Sequence, residues 1–226
     1  MAASPGSGTP ASIWTIIVAA GSGQRFGGLK QFSELGGRRM VDWAVETAAG
    51  VSSGVVVVVP ADQANDPSFS VPPGATTIVA GGTTRSESVR CGLAAVPGDV
   101  EFVCVHDAAR PFATAALFEA VVRAAGASGI DAAIPGIAVA DTVKVVDDQG
   151  RVVSTPDRAT LRAVQTPQAF RASVLRAAHA SAPEATDDAA VVEAHGGYVV
   201  VVEGEADNRK ITGPDDLVWA EGRCVR

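Results

Sequence analysis

The sequence predicts an α/β domain in which a mostly parallel sheet is covered by helices on both faces. Short valine-rich runs alternate along the chain with alanine-rich stretches of helical length, which is the pattern of such a sheet. The composition agrees, because it is 47% hydrophobic but only 5% aromatic, which favours β-branched strands and alanine-rich helices. With 226 residues the chain can bury a core of its own. We therefore expect a single domain over residues 13–226, preceded by a disordered leader over residues 1–12.

The first half of the chain is predicted to contribute four strands and three helices. The run 55–59 consists of five valines and is too apolar for a strand with one wet face, so we place it inside the sheet. Residues 40–49 space their apolar side chains like one face of a helix. Similar patterns predict the other strands at 13–20, 77–79 and 101–105, and the other helices at 86–95 and 114–125.

The second half adds a hairpin to further strands and helices. Two runs of alternating hydrophobicity, 138–146 and 151–154, flank the turn Asp147-Asp148-Gln149-Gly150, which predicts a β-hairpin. Because a lone hairpin is marginally stable in water, we expect this arm, about residues 137–158, to project and to pack on a second subunit. The remaining strands are predicted near 131–134, 161–164 and 198–202, the helices near 171–180 and 187–194, and a last short segment at 208–212.

Charge and cysteine content exclude several classes of protein. The formal net charge of -7 disfavours nucleic-acid and membrane-surface binding, since both partners are anionic and no Lys/Arg-rich run compensates. No apolar stretch approaches the roughly 20 residues that a membrane-spanning helix needs. The three cysteines are an odd number without metal-ligand spacing, which indicates reduced thiols. We expect a cytoplasmic protein that binds neither nucleic acid nor membranes.

A glycine-rich turn follows the first predicted strand. The segment Ala19-Ala20-Gly21-Ser22-Gly23-Gln24-Arg25 can bring backbone N–H groups close to a phosphate chain, but such turns are as common without a nucleotide. A dinucleotide fingerprint would have a third glycine at Phe26, which disfavours an NAD-dependent oxidoreductase. Arg25 and Lys30 add two positive charges to this loop. Such charges suit a triphosphate under attack, so the loop favours nucleotidyl or phosphoryl transfer over hydride transfer.

Two further charged residues come at the ends of later strands. Asp107 ends the run Val105-His106-Asp107, at the carboxyl edge where open α/β sheets bind ligands. Mg²⁺ is commonly held by one or two carboxylates and by substrate phosphates, so Asp107 is a candidate ligand, with a turn or helix-capping aspartate as the alternative. Lys210 follows the strand predicted at 198–202, where a surface lysine is the alternative. We expect His106 to be structural, because attack by an ionised phosphate needs no general base.

In combination, these residues resemble the 2-C-methyl-D-erythritol 4-phosphate cytidylyltransferases of the non-mevalonate isoprenoid pathway. The resemblance extends from Ile13 to Leu217. It rests on the loop that ends at Lys30-Gln31 and on motifs in a shared order: Gly81-Gly82-Thr83-Thr84-Arg85-Ser86-Glu87-Ser88-Val89, His106-Asp107-Ala108-Ala109-Arg110-Pro111, Asp141-Thr142-Val143-Lys144, Thr166-Pro167-Gln168, Thr186-Asp187-Asp188 and Asp207-Asn208-Arg209-Lys210-Ile211-Thr212. It implies a Rossmann-like nucleotide-diphospho-sugar transferase fold and a homodimer. It also implies Mg²⁺-dependent transfer of the cytidylyl group of CTP to a sugar-alcohol phosphate, with release of pyrophosphate.

The resemblance also implies a role for each matching residue. The residues expected to hold the CTP phosphates are Ala19, Ala20, Gly21, Gly23, Arg25 and Lys30. The residues expected to contact cytosine and ribose are Gly81, Gly82, Arg85 and Ser88. Asp107 is implied as the magnesium ligand, and Arg25, Lys30 and Lys210 as the cations that stabilise the transition state. The sugar-phosphate site is implied to combine Thr142 and Arg158 of a neighbouring subunit's arm with Asp107, Thr166 and Lys210 of the subunit that binds CTP.

Two other functions remain open at this point. A ribitol 5-phosphate cytidylyltransferase would share the fold and much of the motif set. A non-catalytic nucleotide-binding module is the second alternative, although a mere binder would not need Lys30, Asp107 and Lys210 together with Arg25. The chain departs from the family pattern at Leu29, where the family usually has proline. Because glycines precede Leu29 instead, we expect the loop to become ordered only when nucleotide binds.

Overall fold

Apolar, mostly β-branched runs form a central sheet of eight strands within residues 12–21 and 28–224, the part of the chain that this computed structural model describes. The strands, including two small hairpins outside the central sheet, are β1 (Ile13–Val18), β2 (Glu34–Leu35), β3 (Arg38–Arg39), β4 (Gly54–Val59), β5 (Thr77–Ala80), β6 (Phe102–Asp107), β7 (Ala132–Ala138), β8 (Val145–Val146), β9 (Val152–Ser154), β10 (Arg162–Val164), β11 (Gln168–Arg171) and β12 (Val199–Glu203). The helices are α1 (Met40–Val51), α2 (Ala61–Ala64), α3 (Arg85–Ala94), α4 (Ala115–Ala125), α5 (Ala172–His179), α6 (Asp188–Ala194) and α7 (Pro214–Cys224).

The order of strands creates a crevice beside β1. The sheet has the order β10-β7-β11-β6-β1-β4-β5, and β12 also pairs with β7. Strand β1 is parallel to β4 and β6, β4 to β5 and β12 to β7, whereas β10 and β11 are antiparallel to their neighbours. From β1 the chain extends the sheet through β4 and β5, and it then returns to β6 on the other side of β1. Ligands bind open α/β sheets at such a switch point, at the carboxyl ends of the strands.

Alternate residues of the central strands face two hydrophobic layers. One layer contains Ile17 and Val57 and packs against α1 and α4. The other contains Ile16 and Val58 and packs against α3, α5 and α6. All six residues of β4 are buried, because this strand has a neighbour on each side and helices on each face. The prediction of a mostly parallel sheet covered on both faces, with the valine strand inside it, is confirmed.

The predicted hairpin is present but shorter than expected. Strands β8 and β9 pair around a turn in which Gly150 donates a backbone hydrogen bond to Asp147. Residues 139–144 were expected to extend the first strand, but they are irregular. The second strand of the hairpin, β9, is followed closely by Pro156. Proline has no N–H group, so the hydrogen bonds between the two strands cannot continue there. Val146 and Val153 are 53% and 66% exposed, so in the single chain the arm leaves its apolar side chains uncovered.

Several elements were not anticipated from the sequence: the short β2, β3 and α2, and the two elements described next, β11 and α7. Strand β11 inserts antiparallel between β6 and β7, and its short Gln-Ala-Phe-Arg run lacks the β-branched residues that predict strands. Helix α7 packs against the β2–β3 hairpin, and a small cluster around the buried Ile211 joins the two. Residues 208–212, predicted as a short segment, form an irregular loop just before α7.

The remaining expectations concern the membrane, the thiols and two segments. In the described ranges, no helix is long and apolar enough to cross a membrane. Cys91, Cys104 and Cys224 are free thiols, as predicted. The expected leader, apart from Ser12, and the loop residues 22–27 lie outside the described residues.

Candidate functional site

The carboxyl ends of β1, β5 and β6 place the predicted motifs at one edge of the sheet. Val18 of β1 lies opposite Asp107 of β6, and the next residue, Ala108, donates a backbone hydrogen bond to Val18 O at 3.1 Å. Gly81 follows β5, and its N–H donates to Val59 O at 2.8 Å. The turn after β1, the Gly81-Gly82 turn and the acidic end of β6 therefore surround the switch point of the sheet.

A buried glutamine holds the turn that follows β1. Gln31 Nε2 donates to Ala19 O at 2.6 Å and to Gly21 O at 3.0 Å, and the Gln31 side chain is buried. One amide thus holds two carbonyl groups of the predicted phosphate loop, while Ala19 N–H bonds Val58 O at 2.8 Å. Gly23 and Arg25 lie outside the described residues, so their roles stay predictions. Gln31 was quoted in the sequence only as a motif residue, and its role follows from these two bonds.

The Gly81-Gly82 turn approaches the first loop too closely for a side chain. A Cβ atom on Gly81 would lie 2.4 Å from Ala20 Cβ, so only glycine fits there. The Ser88 hydroxyl accepts from Gly82 N–H at 3.2 Å and donates to Thr84 O at 2.8 Å. Ser88 is buried and shapes this turn from the first half of α3. The turn and the loop after β1 therefore form two adjoining walls of the site.

Asp107 is the centre of charge in the site. Its Oδ2 accepts from Lys210 Nζ at 2.7 Å, and its Oδ1 lies 3.5 Å from Arg85 Nη2. Burial of Asp107 favours the neutral carboxyl, but the positive charges of Lys210 and Arg85 outweigh it and hold the pKa well below its usual range. Asp107 is therefore an ionised carboxylate paired with cations rather than a helix cap. Arg85, assigned by resemblance to cytosine and ribose, lies in the structure between Asp107 and Asp188.

Lys30 and Lys210 come to the same place from distant parts of the chain. Lys30 Nζ donates a hydrogen bond of 2.6 Å to the carbonyl oxygen of Ile211, and Ile211 directly follows Lys210 in the chain. The loop that carries Lys210 is fixed by Asp216 of α7, whose Oδ2 accepts from Thr212 N–H at 2.8 Å. Lys210 is an exposed residue, but its ammonium group pairs with the buried Asp107, which places it at the same edge of the sheet as Lys30.

The Thr166 hydroxyl bonds both His106 and Asp107 at the end of β6. His106 Nε2 lies 3.1 Å from Arg110 O, which can only accept, so this nitrogen carries the proton. In the neutral ring His106 Nδ1 is then the acceptor of the Thr166 hydroxyl at 3.0 Å. Burial lowers the pKa of His106 to about 4, so the neutral form is consistent with this arrangement. The same Thr166 oxygen accepts from Asp107 N–H at 3.0 Å and fixes the end of β6.

The two predicted arm residues make none of the described contacts with this cluster. Thr142 is exposed. Arg158 is also exposed, and its Nη1 donates to Ala140 O, which joins the two sides of the arm. The described contacts therefore bring Lys30, Arg85, Asp107, Thr166 and Lys210 together, but not Thr142 and Arg158.

The residues at Asp107 fit a magnesium ion whose remaining ligands come with a substrate. Within the described ranges no group of three His, Cys, Asp or Glu side chains could hold a metal. Asp107 offers one ionised, hard oxygen donor at the sheet edge. Mg²⁺ usually keeps waters and binds through one or two carboxylates plus substrate phosphates, which matches a single carboxylate in this position.

Comparison with known proteins identifies the family to which this chain belongs. A profile of the 2-C-methyl-D-erythritol 4-phosphate cytidylyltransferase family, IspD, matches residues 13–224. The chain belongs to this family. The enzyme of that name from Nocardia farcinica is 46% identical over 215 residues, which cover 93% of each chain. The Rhodococcus opacus enzyme is 47% identical over 210 residues, covering 91% of this chain and 92% of the relative.

A solved structure of the IspD family has the same fold. The crystal structure of 2-C-methyl-D-erythritol 4-phosphate cytidylyltransferase from Thermus thermophilus superposes with a TM-score of 0.79 at 37% identity. The superposition covers 95% of this chain and 100% of the other. The fold and the family implied by the sequence motifs are therefore confirmed.

Proposed function

We propose that this protein transfers the cytidylyl group of CTP to 2-C-methyl-D-erythritol 4-phosphate, forming 4-diphosphocytidyl-2-C-methyl-D-erythritol and pyrophosphate. Membership in the IspD family supports this function. The observation that carries it is the convergence of Lys30, Arg85 and Lys210 with Asp107 beside the turn after β1. Cations gathered at one carboxylate suit a reaction in which polyphosphate charge must be held in place.

In this reaction a phosphate oxygen of the acceptor attacks the α-phosphorus of CTP. The new P–O bond forms as the bond from the α-phosphorus to the β-phosphate oxygen breaks, so pyrophosphate leaves with that electron pair. The acceptor phosphate is already ionised, and no base is needed to remove a proton. This agrees with His106, whose two ring nitrogens are both occupied by Thr166 and Arg110.

Electrostatic stabilisation by cations is the chemistry that the chain itself supplies. Lys30 and Lys210 carry ammonium groups at the edge where the triphosphate would lie, and Arg25 of the glycine-rich loop is the third predicted cation. Fixed positive charges and donors stabilise the charge that develops on the phosphoryl oxygens in the transition state. The backbone N–H groups of Ala19, Ala20 and Gly21 are proposed to hold the phosphate chain.

Magnesium is proposed as the cofactor, with Asp107 as its protein ligand. When bound, it would neutralise phosphate charge and help to orient the nucleotide. Asp107 suits this role because its neighbours keep it ionised at neutral pH. Lys210 and Arg85 now occupy positions next to the two carboxylate oxygens, so they are placed to pass from Asp107 to phosphate oxygens when a metal ion takes the carboxylate.

A pyrophosphate-release assay with each nucleotide and each acceptor tests the proposed function. We expect release with CTP and 2-C-methyl-D-erythritol 4-phosphate, and little with ATP, GTP or UTP. Faster release with ribitol 5-phosphate would assign the chain to that alternative acceptor. Binding of CTP without release in the presence of any acceptor would leave only a nucleotide-binding module.

We further propose that two subunits share each acceptor site, in a cytoplasmic homodimer. The exposed valines of the arm, Val145, Val146, Val152 and Val153, support this proposal because a second subunit could bury them. Thr142 and Arg158 of the arm are both exposed, so they are open to contact with a second subunit. A planar guanidinium such as that of Arg158 suits a phosphate, to which it can donate two parallel hydrogen bonds.

Complementation between two impaired variants, assayed at a sugar-phosphate concentration below the KM of Arg158→Ala, tests the shared site. Lys30→Ala and Arg158→Ala homodimers should each be impaired, the second mainly through a higher KM for the sugar phosphate. A mixed dimer would contain one site with Lys30 from one chain and Arg158 from the other, so activity should partly return. If subunit exchange is demonstrated and activity stays at the level of the parents, Arg158 serves its own chain or has no role.

A further inference from the structure

The motif Thr186-Asp187-Asp188 has no role among the predicted site residues. In the structure Asp188 is the first residue of α6 and is completely buried. Buried carboxylates are costly unless they are paired, so a partner is required. The two oxygens of Asp188 have separate partners, one of which belongs to the site.

One partner of Asp188 is Arg85. Arg85 Nη1 donates to Asp188 Oδ2 at 2.7 Å, while Nη2 on the same guanidinium faces Asp107 Oδ1 at 3.5 Å. The shorter of the two contacts is the one to Asp188, the residue that lies deeper in the protein. The guanidinium is thus anchored from behind by Asp188, and its other end points at the carboxylate in the centre of the site.

The other partner of Asp188 is His179 of α5. His179 Nε2 lies 3.1 Å from Asp188 Oδ1, and both side chains are buried. An ionised carboxylate can only accept, so His179 Nε2 is the donor in this bond. His179 therefore fixes the orientation of the carboxylate plane, and the carboxylate in turn fixes Arg85. The three side chains link α5, α6 and the start of α3.

We infer that Asp188 is a positioning residue that aims the Arg85 guanidinium at the nucleotide site. The inference rests on the proposed function for the identity of the nucleotide, CTP. Without Asp188, Arg85 would keep only the longer contact to Asp107 and would lose the direction set by the buried anchor. Arg85 would then be free to fold onto Asp107 or to turn towards solvent, and CTP binding would require it to be ordered again.

The test combines isosteric substitution with a double-mutant cycle. Asp188→Asn keeps the shape of the side chain but removes its charge, and Arg85→Ala removes the residue on which it is inferred to act. The matched control is Glu184→Gln, which neutralises a half-exposed carboxylate. The described contacts of this carboxylate are with Thr84, the N-cap residue of α3, and with Arg90 of α3, and not with Arg85. The Kd of CTP with Mg²⁺ is measured by isothermal titration calorimetry, and KM is measured for both substrates.

We expect Asp188→Asn to weaken CTP binding by roughly 10- to 100-fold, the range for a hydrogen bond to a charged group. In Asp188→Asn the KM of the acceptor should stay near the wild-type value. In the control Glu184→Gln the Kd of CTP should also stay near the wild-type value. In the Arg85→Ala background, adding Asp188→Asn should change the Kd by less than about twofold, because coupled residues are not additive. A folded Asp188→Asn protein with wild-type CTP affinity, or full additivity in the cycle, would overturn the inference.

A substitute variant and a measurement of the melting temperature complete this test. If Asp188→Asn does not fold, Arg85→Lys replaces it, because lysine lacks the planar fork that faces Asp188 and Asp107 together. Arg85→Lys should then weaken CTP binding nearly as much as Arg85→Ala, and wild-type affinity would overturn the inference. A purely structural role for Asp188 would lower the melting temperature and the fraction of active protein while leaving both KM values unchanged. Because the Kd needs no turnover, the result stands even if pyrophosphate release shows the proposed acceptor to be wrong.

Discussion

Replacing Lys210 with methionine should impair catalysis far more than folding. The ammonium group lies 2.7 Å from Asp107, whereas the other cation, on Arg85, is at 3.5 Å, beyond a good hydrogen bond. The Lys210 side chain is 42% exposed but Asp107 is buried and would keep only Arg85, so the loss of this ion pair should cost roughly 1–3 kcal/mol of stability. Removing a donor that stabilises a transition state typically costs roughly 10²- to 10³-fold in turnover.

The assay for Lys210→Met is steady-state pyrophosphate release, with urea unfolding measured in parallel. The control is Arg209→Met, which removes a positive charge one residue away that stacks on Trp219 and lies 3.4 Å from Asp216 Oδ1, while Asp216 Oδ2 keeps its bond from Thr212 N–H. Arg209→Met should keep turnover within about twofold of wild type, since surface substitutions away from a site have small effects. The reasoning is refuted if Lys210→Met retains more than a tenth of wild-type turnover, or if both variants lose activity equally.

The same variant has a pH signature in stability. The pKa of Asp107 in the folded protein lies below its ordinary value of 3.8, so its ion pairs stabilise the fold above that pH. This stability is lost as pH falls through the lowered pKa. The difference in unfolding free energy between wild type and Lys210→Met should therefore be constant from pH 7 to about pH 4 and shrink below it. A difference that grows on acidification would mean that Lys210 does not act on Asp107.

Three further substitutions test other parts of the site. Asp107→Asn should abolish the magnesium response of turnover while leaving the circular dichroism spectrum unchanged, since an amide oxygen is a poor ligand for a hard cation; a retained response would place the ligand elsewhere. Burial lowers the pKa of His106 to about 4, so on acidification the unfolded chain binds a proton at this histidine before the folded protein does. The free energy of unfolding should therefore fall by about 3 kcal/mol between pH 6.5 and 4. His106→Gln should lack that part of the fall, and an identical pH profile would contradict the assignment. Gln31→Ala leaves two carbonyl groups of the glycine-rich loop without a donor and should raise the KM of CTP by roughly 10-fold; an unchanged KM would show that the loop needs no support from Gln31.

Much of this fold can be predicted from hydrophobic patterns because its central strands are long and apolar. The valine run of β4 and the strand that ends at Asp107 have no polar face, so they lie inside the sheet. Strand β11 could not be found in this way, because it has only four residues and depends on pairing with β6 and β7. Helix α7 was missed because its apolar face covers only a small cluster around Ile211.

The site, too, contains residues that the local sequence pattern predicts and residues that depend on contacts between distant parts of the chain. Asp107, Lys30 and Lys210 follow from charge at strand ends, and the structure brings them together. Residues that act on other residues carry no such local mark. Gln31 holds two carbonyl groups, and Asp188 holds Arg85 across more than a hundred residues of sequence. Such contacts depend on the packing of separate elements, which the sequence pattern does not specify.

The most direct test of the central claim is ³¹P nuclear magnetic resonance of the complete reaction of CTP, Mg²⁺ and 2-C-methyl-D-erythritol 4-phosphate. Attack of the acceptor phosphate on the α-phosphorus predicts a new diphosphate diester and pyrophosphate in equal amounts, each appearing only when CTP and acceptor are both present. The claim is contradicted if the products are CDP and a doubly phosphorylated acceptor, which indicates phosphoryl transfer. It is equally contradicted if CTP is merely hydrolysed to CMP and pyrophosphate at the same rate with and without acceptor.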